Sequence, residues 1–132
     1  MTGLTPYLLL GGSARAALTF YRDVFGGELA LLSYADAGRD DGPADAVAHG
    51  MLRKGPVALS AADAGPGEDT LAVRGILFSL LGTAEPAVLE GWFAALAEGG
   101  EVIDPLQVRP WGDHDGQVRD RFGITWLIGY EG

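Results

Sequence analysis

The chain repeats one residue pattern in its two halves, and this repeat limits the folds available to it. FYRDVFGGEL from Phe20 and FAALAEGGEV from Phe93 each combine an apolar helical stripe, a Gly-Gly pair, a glutamate and an aliphatic residue. The spacing from Phe20 to Gly27 equals the spacing from Phe93 to Gly100. Because such repeats mark duplicated supersecondary units, each half predicts the order strand, helix, strand, strand, strand.

In the first half, apolar runs and glycine-rich turns delimit the elements. Residues 6–10 predict a strand, and Ser13 predicts the N-cap of a helix that the Gly26-Gly27 pair ends. Three further strands are predicted over residues 28–34, 46–53 and 57–62, separated or followed by exposed loops at 35–45 and 63–69.

The second half repeats this organisation, with strands predicted over residues 75–81, 101–106, 117–120 and 124–130. Its helix begins near Thr83 to Pro86 and presents an apolar stripe of Leu89, Trp92, Phe93 and Leu96. Two half-sheets with outer helices bury their edges by packing together, which would enclose a cleft. We therefore predict one α+β domain over residues 1–132, built from modules at about 4–66 and 71–132, with a mixed curved sheet and helices outside.

Charge and composition exclude several classes of function. The net charge of -9 over 132 residues disfavours nucleic acid and anionic membranes as partners. The absence of cysteine excludes disulfides, thiolate metal sites and cysteine nucleophiles. The first twelve residues resemble neither a signal peptide nor a membrane span, so we expect a soluble cytoplasmic protein.

The chain has two histidines, and each has a functional and a structural interpretation. His49 lies on a predicted strand, where alternation puts it on the face of Val47 and Met51; it is either a pocket base or donor, or a strand histidine satisfied by a backbone or carboxylate partner. His114 stands between Asp113 and Asp115, and adjacent side chains on a loop do not converge on a metal without other ligands. A solvated acidic loop is therefore the favoured interpretation of His114.

Several other side chains could line a pocket. Trp111, Trp126 and Phe78 could stack on a flat or apolar ligand, although aromatic side chains of this size more often pack in a core. Asp63 and Asp120 could supply polar groups, although turn formation or capping is the favoured role for both.

A further pair of charged residues flanks the second of these aspartates. Arg119 and Arg121 alternate with Asp120 along a predicted strand and indicate a salt-bridging surface pair.

Three segments resemble the vicinal oxygen chelate superfamily, which includes glyoxalase I, extradiol dioxygenases and bleomycin-resistance proteins, and in particular its PhnB-like branch. They are PYLLLGGSARAALTFYRDVFGGEL, AHGMLRKGPVALSAADA and WGDHDGQVRDRFGITWLI, in the expected order over nearly the whole chain. The resemblance implies paired βαβββ modules, commonly a homodimer, and a histidine at the position of His49. It also implies a site cupped by the sheet.

In the metal-dependent members of this superfamily, four ligands come from the first and last strands of each module. Carried over by the resemblance, these positions fall near Pro6, Ala58, Gly75 and Leu127, and neither they nor their immediate neighbours supply a set of histidines and carboxylates. We therefore predict no metal and no other cofactor, and the missing ligands argue against metal-dependent catalysis.

The leading hypothesis is a metal-free protein that binds a small, partly apolar molecule, with His49, Phe78, Trp111, Trp126, Asp63 and Asp120 as the candidate binding residues. Two alternatives stay open. One is a lyase or dioxygenase whose metal is held by residues such as His49, His114 and nearby carboxylates. The other is an antibiotic-sequestering protein of the bleomycin-resistance kind, for which an acidic surface would suit a cationic drug.

Overall fold

A computed structural model describes residues 3–132, and the chain divides into two compact units, residues 1–71 (unit 1) and 72–132 (unit 2). Each unit has one helix and a mixed four-stranded sheet in the order strand, helix, strand, strand, strand. The predicted α+β class with two βαβββ motifs is confirmed. Neither helix in the described residues is long and apolar enough to span a membrane.

Unit 1 contains β1, α1, β2, β3 and β4, and its strands lie in the order β1-β4-β3-β2. Strands β1 and β4 are parallel, and the other neighbours are antiparallel. The bounds of the elements are Tyr7–Leu10, Ala14–Phe25, Glu28–Ser33, Val47–Arg53 and Leu59–Asp63.

Unit 2 contains β5, α2, β6, β7 and β8, and its strands lie in the corresponding order β5-β8-β7-β6. The outer pair β5 and β8 is again parallel. The bounds of the elements are Phe78–Leu81, Pro86–Ala97, Glu101–Val108, His114–Arg119 and Thr125–Tyr130.

Helix α1 covers one face of the unit 1 sheet because its apolar stripe meets small and aliphatic strand residues. Leu18 and Tyr21 are fully buried. Gly50 permits this close approach, since a β-carbon there would lie 2.5 Å from Cδ1 of Leu18. Side chains alternate along a strand, so Leu8 and Ala61 share the helix face with Gly50. The opposite face, which carries Tyr7, is called the open face of unit 1.

The beginning of α1 differs from the prediction. Ser13 is the N-cap residue, but its side chain makes no capping hydrogen bond. Oδ1 of Asp63, at the end of β4, instead accepts hydrogen bonds from the backbone N–H groups of Gly12 and Ala14, both at 3.0 Å. The cap comes from a residue about 50 positions away, because parallel pairing of β1 with β4 brings the end of β4 to the start of α1.

In unit 2, the predicted apolar stripe of α2 is confirmed, since Leu89 and Leu96 are fully buried and Trp92 and Phe93 nearly so. On the sheet, the side chains of β8 that face α2 include Trp126 and Ile128, at 2% and 0% exposure. Tyr130 belongs to the same face, because its hydroxyl donates to Oε1 of Glu90 on α2 at 2.6 Å. The alternate side chains, such as Leu127, define the open face of unit 2.

The prediction of a solvated loop at His114 and Asp115 is wrong, because both residues begin strand β7. They pair with Val108 and Gln107 of β6 on one side and with Tyr130 and Gly129 of β8 on the other. The polar residues of this segment do not show the apolar pattern of a strand. They form one because their backbones pair with β6 and β8. The charge of Asp115 is also compensated, because Nε of Arg109 donates to its Oδ1 at 2.7 Å.

Candidate functional site

The open face of unit 1 carries a hydrogen-bonded pair of ionisable side chains, Tyr7 and His49. The phenol oxygen of Tyr7 on β1 lies 2.8 Å from Nδ1 of His49 on β3. Their rings stack with centroids 5.5 Å apart and an interplanar angle of 27°. Both side chains are exposed, and Tyr7 retains 48% of its accessible surface. The pair is therefore positioned by the sheet but accessible to a ligand.

The sequence interpretation of His49 is partly corrected by the register of the sheet. Leu32 pairs with His49 and the next residue, Ser33, pairs with Val47, so a bulge lies at residue 48. The bulge reverses the alternation, and Val47 is fully buried whereas His49 is exposed. His49 therefore shares a face with Met51, as predicted, but not with Val47.

The electrostatic environment keeps Tyr7 protonated. Its partial burial, reinforced by the negative charge of Glu68, raises the pKa of Tyr7 above the ordinary value of 10.0. A phenol that keeps its proton can donate to Nδ1 of His49. In that tautomer Nε2 carries the other proton and can donate to a ligand. The Tyr7–His49 pair thus places a hydrogen-bond donor, Nε2 of His49, on the open face. It also places a weak acid, the phenol, beside a base, the imidazole.

The rest of this face is apolar or small. Alternation and register assign to it Leu9, Ala30, Leu32, Met51, Ser60 and Ala62, in addition to the pair. A few polar groups on an otherwise apolar surface are typical of sites for small organic molecules. The sequence gives no direct signal for Tyr7, because its link to His49 spans 42 residues and depends on β4 lying between their two strands.

Three of the four metal-ligand positions that the resemblance implies lie before the strands, and only Leu127 lies within one. On the open faces, Tyr7 of β1 pairs with Ser60 of β4, and Ser79 of β5 pairs with Leu127 of β8. None of these four side chains is an imidazole or a carboxylate. Within residues 3–132, no three His, Asp or Glu side chains come close enough together to hold a metal ion. The donor set therefore does not fit a divalent cation.

Asp63, a predicted pocket residue, is 7% exposed and bonds to the backbone. Besides the two α1 amides, it accepts a hydrogen bond on Oδ2 from the N–H of Val47 at 2.9 Å. Its main-chain oxygen accepts from the hydroxyl of Tyr34 at 2.6 Å. These contacts give Asp63 the capping role that the sequence favoured. Contact with a ligand stays a prediction for this residue.

Asp120, Trp126 and Phe78 come together in unit 2, where Asp120 and Trp126 are buried and Phe78 is partly buried. Oδ2 of Asp120 accepts a hydrogen bond from Nε1 of Trp126 at 2.8 Å, and its Oδ1 accepts from the N–H groups of Phe122 and Ile124. Phe78 meets Trp126 edge to face with centroids 5.5 Å apart. Trp126 and Asp120 are 2% and 3% exposed, so the described contacts are those of packing and turn formation. A ligand-binding role for the three stays a prediction.

Trp111 is exposed on the turn between β6 and β7, and it retains 69% of its accessible surface. The turn is held by hydrogen bonds between the main chains of Arg109 and Asp113 at 2.6 Å and of Gly112 and Arg109 at 2.9 Å. Trp126 lies in the packed interior with Phe78 against its edge, and the exposed Trp111 does not join them. Its predicted contact with a ligand stays a prediction.

His114 lies on the helix face of unit 2 and stacks on Tyr130, with centroids 4.6 Å apart and an angle of 15°. The hydrogen bond to Glu90, together with burial, raises the pKa of Tyr130. Nδ1 of His114 is buried and has no hydrogen-bond partner in the described residues. Among residues 3–132 no third ligand completes a metal site here, and the stacked pair is a packing contact.

Comparisons with known proteins agree with this architecture. The family model of the Glyoxalase/Bleomycin resistance protein/Dioxygenase superfamily matches residues 3–128. The chain is 34% identical to protein PA1353 from Pseudomonas aeruginosa, whose crystal structure superimposes with a TM-score of 0.85 over 99% of this chain and 98% of that one. It is 29% identical to protein YjdN from Escherichia coli, covering 95% of this chain and 92% of the relative.

A third comparison bears on the fold alone. The structure of the PhnB protein from Bacillus cereus, described as a putative 3-demethylubiquinone-9 3-methyltransferase, superimposes with a TM-score of 0.79 at 18% identity, covering 98% of this chain and 99% of that one. Sequence identity this low carries no information about the reaction or ligand.

Proposed function

Since the chain belongs to the Glyoxalase/Bleomycin resistance protein/Dioxygenase superfamily, we propose that it is a PhnB-like member that binds a small, partly apolar molecule without a metal ion. The observation that carries the proposal is the Tyr7–His49 pair on the open face of unit 1. Of the predicted binding residues, it depends on His49 and not on the side chains packed in the core of unit 2.

The donor set supports the metal-free part of the proposal. Polarising a substrate oxygen through a divalent cation requires imidazole or carboxylate ligands that converge on one point. Such ligands are supplied neither by the positions carried over from the resemblance nor by the nearby paired strand residues, which are tyrosine, serine and leucine. His49 is the single histidine of unit 1, and its Nδ1 is engaged with Tyr7. The chain therefore has to recognise its ligand through hydrogen bonds and apolar contact.

The chemistry of the pair supports the small-molecule part. A neutral phenol beside an imidazole can donate to, or accept from, a carbonyl, hydroxyl or amide group of a ligand. Leu9, Leu32 and Met51 on the same face supply apolar surface for the rest of the molecule. The same two groups could exchange a proton with a bound substrate, so a metal-independent reaction is compatible with the proposal.

A fragment library screened by ligand-observed NMR tests the site. We expect a subset of fragments to bind the wild-type protein and to lose binding in both His49→Ala and Tyr7→Phe. Arg22→Gln, which changes an exposed residue of α1 on the other side of the unit 1 sheet, is the matched control and should keep the same hits. If every hit survives both site substitutions, the Tyr7–His49 pair is not the binding site.

The resemblance also leads us to propose a homodimer in solution. Several large apolar side chains of unit 2 are exposed in the single chain, among them Leu81, Val108 and Trp111. Apolar surface of this kind is often covered by a partner subunit. Light scattering coupled to gel filtration should give twice the chain mass of 13.8 kDa; a mass of one chain across the accessible concentration range would refute the proposal.

A further inference from the structure

A cavity of about 640 Å³ lies on unit 2. The segment 73–77, which leads into β5, forms one part of its lining. The remaining lining residues are Ile103, Gln117, Arg119 and Thr125, from β6, β7 and β8. Gln117, Arg119 and Thr125 alternate with side chains that face α2, so the cavity is on the open face of the unit 2 sheet.

Two arginines of this cavity lack an acidic partner in the part of the chain that the structure describes. Arg74 and Arg119 are exposed, and neither forms an ion pair with a carboxylate in residues 3–132. The predicted salt-bridging role of Arg119 is therefore wrong. Glu101 is opposite Arg119 in the β6–β7 register, yet the two charged groups do not come within ion-pair distance.

Acidic residues outnumber basic ones by 18 to 9 in this chain, so an arginine has many possible carboxylate partners. Several of the other arginines in the described residues form ion pairs with carboxylates, although not all of them do. Arg39 pairs with Asp41, and Arg109 pairs with both Asp104 and Asp115. Arg74 and Arg119 have no carboxylate partner although many acidic groups are available. An anion from solution could therefore pair with their two guanidinium groups beside this cavity.

The other lining residues define the rest of the ligand. Ile76, Leu77 and Ile103 are large apolar side chains that retain 57%, 40% and 41% of their accessible surface. Gln117 and Thr125 add an amide and a hydroxyl, which can donate to or accept from polar substituents. Apolar walls with a few convergent polar groups are the usual lining of a small-molecule site.

We propose that this cavity binds a small organic oxyanion, whose charged group is held by Arg74 and Arg119 and whose apolar body lies against Ile76, Leu77 and Ile103. The inference goes beyond the proposed function, since it assigns unit 2 a ligand site in addition to the Tyr7–His49 pair of unit 1. It adds that recognition in unit 2 depends on guanidinium groups, which favour carboxylate and phosphate oxygens.

The test compares ligands of one size and different charge. Benzoate and phenyl phosphate are titrated into the ¹⁵N-labelled protein, with benzyl alcohol as the neutral and benzylammonium as the cationic counterpart. We expect the anions to shift the amide signals of Gln117, Arg119 and Thr125 and to bind more tightly than the alcohol, while benzylammonium leaves these signals unchanged. Affinity for the anions should fall as sodium chloride is raised, because salt screens the contact.

Matched variants decide whether the arginines are responsible. Arg119→Gln and Arg74→Gln should each weaken benzoate binding roughly tenfold, the loss expected for one charge-assisted contact at an exposed site. Arg22→Gln, which removes an exposed charge from α1, should leave the affinity within about twofold. Circular dichroism spectra should be unchanged in all three variants, since the altered side chains are exposed.

The outcomes separate this inference from the proposed function. Equal binding of benzyl alcohol and benzoate, or unchanged benzoate affinity in both cavity variants, would overturn the anion site while leaving small-molecule binding intact. Absence of any shift with benzoate and phenyl phosphate would also overturn it. Discovery of a tightly held metal ion would instead overturn the proposed function, even if the dependence on arginine persisted.

Discussion

Asp63 joins three parts of unit 1, and replacing it provides a sharp test of the fold. One carboxylate oxygen accepts hydrogen bonds from two amides at the start of α1, and the other accepts from the first amide of β3. The side chain is buried, so water cannot readily replace these contacts. Asp63→Asn keeps the shape of the side chain but turns one acceptor into a donor, whereas Asp63→Ala removes both acceptors.

The expected losses follow from these contacts. Loss of a helix N-cap costs about 1 kcal/mol, and each buried amide left without an acceptor costs about 1–3 kcal/mol. In Asp63→Asn, the amide oxygen can still cap α1, but the NH₂ group then faces the N–H of Val47. We therefore expect a loss of about 2 kcal/mol for Asp63→Asn and about 3–4 kcal/mol for Asp63→Ala.

Urea unfolding followed by circular dichroism measures these changes in the free energy of unfolding. The matched control is Asp40→Asn, which alters an exposed aspartate in the loop between β2 and β3 and should change stability by less than about 0.5 kcal/mol. If Asp63→Asn were no more destabilising than Asp40→Asn, the proposed cap would be refuted. Asp63 would then be available to a ligand, as in its alternative interpretation.

Three further substitutions test the packing and the electrostatics. Gly50→Ala should lower the free energy of unfolding by about 1–3 kcal/mol in urea titrations, because the added methyl would lie 2.5 Å from a side-chain carbon of α1; unchanged stability would show that the helix is not packed this closely. Trp126→Phe should cost about 1–3 kcal/mol in the same assay, since it removes the indole donor to Asp120 and leaves a smaller ring in the core. The pKa of Tyr7 is raised in the folded protein, so folding favours the protonated phenol. The stability that this protonated phenol contributes is fully present below the ordinary pKa of 10.0, and it is lost as pH rises through the higher pKa of the folded state. Urea unfolding on both sides of that pH should therefore show a shallower alkaline loss of stability in Tyr7→Phe than in the wild type, and identical profiles would contradict the raised pKa.

The duplicated fold could be predicted because its signals are local. Helix stripes such as Leu89 to Leu96 repeat at helical spacing, and glycine pairs follow them, so the order of elements follows from the sequence. The boundaries were less accurate: β7 begins at His114 and not near residue 117. Its first residues are polar, and only their pairing with β6 and β8 makes them a strand.

The candidate site could be predicted only in part, because its residues are brought together by the pairing register of the strands in unit 1. His49 was identifiable as an unusual strand residue, but Tyr7 becomes its partner through the order β1-β4-β3. The bulge at residue 48 also reverses which neighbours share its face. The aromatic character of Trp126 and Phe78 did not distinguish a core from a pocket, since that choice depends on which face of β8 meets α2. Asp63 illustrates the same limit, because its capping bonds cross about 50 residues of sequence.

Metal content is the most direct test of the central claim that this member of the superfamily recognises its ligand without a metal ion. The protein is dialysed in turn against manganese, iron, nickel and zinc salts, returned to metal-free buffer, and measured by mass spectrometry of the elements. We predict far less than one ion per chain for every metal, because the described strand positions lack convergent imidazole and carboxylate ligands. One tightly retained ion per chain, lost on His49→Ala, would contradict the account.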